Sequence, residues 1–183
     1  MNMTSENLII LSIVLPVIAS FLILLADKKP NLREAITLIT ATIIAAVTIT
    51  LGSRVLAGER PELFITEVFP GISINFAIEP LGMLFALVAG TLWLVTSIYA
   101  IGYMRGHHEK NQTRFYASFA LAISSALAAA YSGNMFTLFL CYEILTISTY
   151  PLVTHAGTPE ARKSGRTYPV SYTHLTLPTI YSV

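Results

Sequence analysis

Almost all the Lys, Arg, Asp and Glu side chains of this 183-residue chain are confined to short segments between long apolar runs. That segregation is the strongest constraint on its fold. Five runs, 8–26, 35–53, 80–104, 115–131 and 135–154, approach or reach the ~20 residues that an α-helix needs to cross a ~30 Å hydrocarbon layer. In lipid, every backbone N–H and C=O must be satisfied internally, which leaves helices and closed barrels. Runs of this length without dyad alternation select helices. With 54% apolar and 11% charged residues and a net charge of +1, the chain is an integral membrane protein. That charge carries no nucleic-acid footprint. The expected architecture is all-α, a polytopic bundle of about five transmembrane helices.

Orientation follows from where the cations fall. Lys28, Lys29 and Arg33 flank the first connection, Arg105, Lys110 and Arg114 the third, and Arg162, Lys163 and Arg166 the fifth. The second connection holds only Arg54 and Arg60, and the fourth holds none. The positive-inside rule puts the first, third and fifth in the cytoplasm and the N-terminus outside. The expected location is a cell (plasma or inner) membrane crossed several times, with the lipid bilayer as partner. Between spans two and three, the alternation in 63–68 and 72–78 around Pro70-Gly71 predicts a β-hairpin on the membrane surface. Pro80 suits the first turn of the next helix. Ala122, Ser125, Ala126 and Ala129 form a small-residue stripe that lets a neighbouring helix come close.

The fifth run carries one charge, Glu143. Nine residues past Asn134, at ~1.5 Å per residue, it lies roughly 14 Å deep, near the bilayer midplane. The other acids (Glu6, Asp27, Glu34, Glu59, Glu62, Glu67, Glu79, Glu109 and Glu160) are expected in loops and tails. A buried carboxylate is destabilised by at least ~2.5 kcal/mol on insertion scales and marks a functional or paired group. Desolvation favours its neutral form and a nearby cation its charged form, which is what a proton relay requires. Pro151 removes the hydrogen bond to the Ile147 carbonyl, and Thr146, Ser148 and Thr149 can re-satisfy freed groups. Thr146 and Tyr150 stand on the Glu143 face. The candidate site is therefore Glu143, supported by Thr146, Ser148, Tyr150 and Pro151. Against it stands a Glu143 that stays protonated and joins helices. Cys141 is expected to be a packed thiol, Trp93 a packing residue, and His107, His108 and Glu109 solvated loop groups without metal-site spacing. No cofactor motif for nucleotide, flavin or iron–sulfur is present.

Ser97–Met104 (SIYAIGYM), Arg114–Tyr116 (RFY), Gly133–Leu140 (GNMFTLFL) and YEILTISTYPLV around Glu143 resemble one family. It is the antiporter-like proton-conducting membrane subunits, which includes Mrp-type monovalent cation/proton antiporter subunits and related membrane-arm subunits of respiratory complex I. Within that family the chain looks most like the D-type member of the Mrp set, over 8–168. The resemblance implies that Glu143 moves protons with a lysine on a later helix, inside a multi-subunit membrane complex that exchanges protons for a monovalent cation such as Na⁺. Tyr142 stands where many members have Trp, and no lysine lies inside any span here. An alternative is a proton-pumping subunit of an NADH:quinone oxidoreductase, not a catalyst by itself. A third is a purely structural membrane subunit. After Tyr168 the hydropathy pattern stops. Val170–Thr179, VSYTHLTLPT, is what a transposase-based sequencing adapter gives when translated, so 169–183 is expected to be foreign to the gene and 1–168 an N-terminal part of the transporter subunit.

Overall fold

The computed structural model describes residues 4–107 and 109–155, so the tail and the loop cations beyond 155 lie outside the described residues. Five helices and one hairpin follow the expected order. They are α1 (Ser5–Leu25), α2 (Pro30–Leu56), β1 (Glu62–Phe69), β2 (Ile72–Ala77), α3 (Pro80–Gly106), α4 (Gln112–Ala130) and α5 (Met135–Val153). Thr4 caps α1 by accepting from the Asn7 amide. Pro30 and Pro80 open α2 and α3, where a missing amide leaves nothing unsatisfied. Pro16 and Pro151 lie inside α1 and α5, and both helices continue through them.

Four of the helices are long and apolar enough to cross a membrane: α1, α2, α3 and α5. The exception is α4, which starts on Gln112, Thr113 and Arg114 and carries Ser118, Ser124 and Ser125. Its position explains its composition. It packs against α1, α3 and α5 and touches α2, so little of it needs to be greasy. Of the small-residue stripe expected at Ala122, Ser125, Ala126 and Ala129, Ala122 and Ser125 are buried while Ala126 and Ala129 are half-buried. Ala117, Ala120, Ala122, Ser124, Ser125 and Ala128 are all buried, because α4 is met from several sides.

Hydroxyls join α1 to α4 in antiparallel register. Ser20 donates to the Ala117 carbonyl at 2.9 Å, and Ser124 donates to the Ile13 carbonyl at 2.6 Å. The α3–α4 crossing is closer still. A Cβ on Gly82 would lie 2.1 Å from the Ala130 carbonyl oxygen. Such backbone approach is how membrane helices gain packing without a hydrophobic drive between them.

The hairpin is antiparallel, from Glu62 opposite Ala77 to Phe69 opposite Ile72, with irregularities between Phe64 and Thr66 and between Glu67 and Phe69. Gly71 turns the chain at φ +82° and its amide donates to the Glu67 carboxylate. The free edge of β2 is covered by the α4–α5 turn. The Ala77 amide donates to the Tyr131 carbonyl at 2.8 Å, and the Gly133 amide to the Asn75 carbonyl at 3.0 Å. Asn134 accepts from the Thr137 amide as the α5 N-cap and donates to the Ser73 carbonyl at 2.7 Å. The Gly133-Asn134 pair thus starts α5 and docks the hairpin together. A side chain on Gly133 would strike Asn75 and Ala77.

Gly82→Ala should destabilise the bundle by about 1–3 kcal/mol, because a backbone carbonyl has to move. Gly102→Ala meets open space and should be neutral or better. Thermal unfolding of both variants in one detergent checks the pair.

Candidate functional site

Helix α5 sits at the rim of the bundle, against α4 and β2. Its buried positions are Thr137, Cys141 and Ser148, one line along the helix. At ~100° per residue, Glu143 lies roughly opposite that line. It is half-buried, on the side turned away from α4. Among the described residues no hydrogen bond or ion pair holds its carboxylate.

The structure divides the sequence-predicted supporting residues. Thr146 and Tyr150 share the Glu143 side of α5. Ser148 is buried on the other side, toward α4. The hydroxyls near Pro151 bond back along the helix. Thr146 donates to the Tyr142 carbonyl, Ser148 to Leu145, and Thr149 to both Leu145 and Thr146, at 2.8–3.0 Å. None of them donates to the Ile147 carbonyl that Pro151 leaves without an amide partner. Ile147, Ile144 and Tyr142 around Glu143 are exposed. Cys141 is a buried free thiol, as expected.

A second polar centre lies where loop residues were expected. Because α2 begins at Pro30, Arg33 and Glu34 belong to its first turns and are each only 5% exposed. The expectation that Glu34 sits in a loop is therefore corrected. The rule that places proline at a helix start was applicable to Pro30 as it was to Pro80, and would have shown this. Arg105, near the end of α3, grips Glu34 from the side: its Nη2 lies 2.6 Å from one carboxylate oxygen and its Nε donates to the other at 3.0 Å. Arg33 Nη2 lies 3.6 Å from the same carboxylate.

Arg33 also reaches α4. Its guanidinium donates to Thr113 at 3.0 Å and to Gln112 at 2.7 Å, and stacks 5.2 Å from the centre of the Tyr116 ring. Arg105 completes the cluster by donating to Asn31. Gln112 in turn donates to the Met104 and Glu109 carbonyls, closing the α3–α4 loop. Guanidinium groups suit this task because their planar donor array serves several acceptors at once. The cluster pins α2, α3 and α4 at the end of the bundle opposite the hairpin. The hairpin end has its own, smaller knot, in which Ser5 of α1 donates to Glu59 and accepts from Arg54 of α2.

His155, just past α5, packs edge-on against Phe115 at 5.4 Å. Burial lowers its pKa from 6.5, Glu109 opposes the shift and Arg114 adds to it. His107 stacks on Tyr103 at 4.3 Å, with Nδ1 at 3.0 Å from the Tyr103 carbonyl.

Stripping the counter-charge from a buried arginine is severe. Glu34→Ala should destabilise the chain by about 3–5 kcal/mol, and adding Arg33→Met should recover much of the loss. Chemical unfolding of the single and double variants measures this. His155 gives a pH test. Its folded-state affinity for the proton is below the unfolded value, so the unfolded chain binds more protons between the two. Its contribution to stability should be full above pH 6.5 and be lost as pH falls to the folded pKa. NMR titration of the imidazole should give a midpoint below 6.5.

The fold and its motifs have relatives. A family model described as NADH-Ubiquinone oxidoreductase (complex I), chain 5 N-terminus, matches residues 70–116. The NADH-quinone oxidoreductase subunit N of Desulforudis audaxviator is 27% identical over 156 residues, 84% of this chain and 31% of that protein. The Putative antiporter subunit mnhD2 of Staphylococcus aureus is 28% identical over 171 residues, 92% of this chain and 33% of that one. Among solved structures, the membrane-bound sulfane sulfur reductase, an archaeal respiratory membrane complex, contains a chain that superposes with TM-score 0.78 at 23% identity. It covers 90% of this chain and 34% of that chain. The Mrp complex from a Dietzia species gives 0.76 at 18% identity, over 91% of this chain and 31% of that one. The chain thus spans about a third of the length of the relatives it matches. These matches bear out the resemblance to antiporter-like, complex I-related membrane subunits.

Proposed function

We propose that the chain is the N-terminal part of a proton-translocating subunit of a monovalent cation/proton antiporter complex, with Glu143 as its proton-carrying group. The observation that supports this most is the placement of Glu143. It stands at mid-helix on the rim helix, on the side away from the bundle, next to residues as exposed as Ile144 and Ile147. A carboxylate used only to join helices within this bundle would face α4. On the outer side it is positioned to meet a group from outside the described helices. A cation arriving there would hold the carboxylate charged, and its departure would let the carboxylate take a proton. Thr146 and Tyr150, on the same side, can hydrogen-bond water or the proton in transit. Pro151 has no amide to give the Ile147 carbonyl, which leaves that end of the helix a further acceptor. The same reading takes the first, third and fifth connections as cytoplasmic and the membrane as a prokaryotic plasma membrane.

The similarity to subunit N of an NADH-quinone oxidoreductase and to a respiratory membrane complex supports a second reading. In it the same carboxylate works in a complex driven by redox chemistry in partner subunits. Copurified redox subunits would distinguish it from an antiporter.

In the complete protein, assembled in its complex, Glu143→Gln should abolish Na⁺-dependent proton flux in membrane vesicles, with assembly retained. Glu143→Asp should keep part of it. Unaltered flux in assembled Glu143→Gln would sink the proposal, and loss of assembly alone would favour a structural role.

A further inference from the structure

The seam between α2, α3 and α4 contains polar side chains that the Glu143 reading does not use. Trp93 and Ser97 of α3 are 1% and 0% exposed, and neither Trp93 Nε1 nor Ser97 Oγ has a hydrogen-bond partner among the described residues. The same holds for Tyr116 OH of α4, 1% exposed, and for Arg33 Nε of α2. Orphan polar atoms at this depth are rare because each destabilises the fold by ~1–3 kcal/mol. Here one unpartnered atom comes from α2, one from α4 and two from α3.

Helix geometry places them together. On α3, Leu87, Gly90 and Arg105 meet Gly52, Thr48 and Glu34 of α2, whereas Gly82 meets Ala130 of α4. At ~100° per residue, Trp93 and Ser97 fall in the sector between those two directions. They are one turn apart on a single face, the i, i+4 relation. The antiparallel register set by Gly90 against Thr48 and Arg105 against Glu34 brings Ser97 level with Ala41. Ala41 and Ala100, buried near Ser97, have no side-chain group to answer a hydroxyl. Ser97 does not bond back along its own helix as Thr91 and Thr96 do. The Trp93 carbonyl already accepts from Thr96. Above Ser97, by roughly 12 Å along the helix, lies the Arg105–Glu34 pair, and Tyr116 stacks on Arg33 beside it.

We propose that this seam binds a file of water molecules running inward from the Arg33–Glu34–Arg105 cluster past Tyr116 and Ser97 to Trp93. The chemistry of the four groups selects the occupant. Indole N–H and guanidinium Nε–H only donate, while the serine and tyrosine hydroxyls donate or accept. All four can donate, and a continuous file joining them needs members that accept from these groups and also donate to one another. Water does both, and buried water typically makes about three such bonds. Chloride can accept but cannot donate. The file would be separate from Glu143, which faces out of the bundle on α5.

Trp93 is the single tryptophan of the chain, so its indole reports without interference. Ultraviolet resonance Raman of the full chain in lipid nanodiscs reads the indole N–H hydrogen bond directly. The expected result is a hydrogen-bonded N–H that becomes N–D in D₂O faster than the amides of α3 exchange. Ser97→Ala should shift the band toward the free-indole position. Ser124→Ala, whose hydroxyl already serves Ile13, should leave it in place. Replacing chloride by gluconate should change nothing. A free indole N–H, an N–H that outlasts the α3 amides, a band unmoved by Ser97→Ala, or one that follows chloride would each overturn the proposal.

Discussion

A bilayer interior offers no water to complete an unmade hydrogen bond, and the rest of this structure depends on that constraint. Hydroxyls on α2, α3 and α5 bond back to carbonyls of their own helices, while Ser20 and Ser124 spend theirs on the α1–α4 contact. Charges are pushed to the two ends of the bundle. There the guanidinium forks of Arg33 and Arg105 share one carboxylate, and amide donors at the other end are answered by a strand edge. The few groups that escape this rule stand out for that reason. Glu143 escapes it by facing outward. The polar atoms of Trp93, Ser97 and Tyr116 sit buried in one seam without hydrogen-bond partners among the described residues.

The bundle is held at both ends and by close backbone contacts between. At one end the charged cluster ties α2, α3 and α4. At the other, Gly133 and Asn134 tie the hairpin to α5. Gly82 lets α3 approach α4 at the hairpin end, and Gly90 lets it approach α2 nearer mid-helix, at distances that no larger residue permits. α4 occupies the centre and α5 the rim. This arrangement presents the outer face of α5 at the edge of the bundle, turned away from α4.

Glu143 was legible because a single charge inside an apolar run contradicts its surroundings, and the sequence needs no coordinates to show it. The hairpin was legible from Pro70-Gly71 and the alternation beside it. The cluster at Arg33 and Glu34 was not read, because charges next to a turn look solvated. Their burial comes from Arg105, Gln112 and Thr113, which are distant in sequence and arrive only when α3 and α4 pack. Thr146, Ser148 and Tyr150 looked equivalent as hydroxyls near Glu143. The choice between the two sides of α5 was made by α4, which buries Ser148 and leaves Thr146 and Tyr150 on the carboxylate side.

Hydropathy and the placement of charge by themselves determined that this chain forms membrane helices, in what order, and that one of them carries a mid-span acid. Those properties are local, since the length of an apolar run and the chemistry of a proline or glycine act within one or two helical turns. The tertiary structure alone decided which face of each helix is covered. It made α4 the centre despite its polarity, made α5 the rim, buried Arg33 with Glu34, and turned Glu143 outward. Covering a face depends on which helices meet across tens or more residues of chain. Several arrangements of five helices satisfy the same hydropathy pattern, and contacts between distant residues select among them: close packing at Gly82, Gly90 and Gly133, the Ser20 and Ser124 hydrogen bonds, and the Arg33–Glu34–Arg105 cluster.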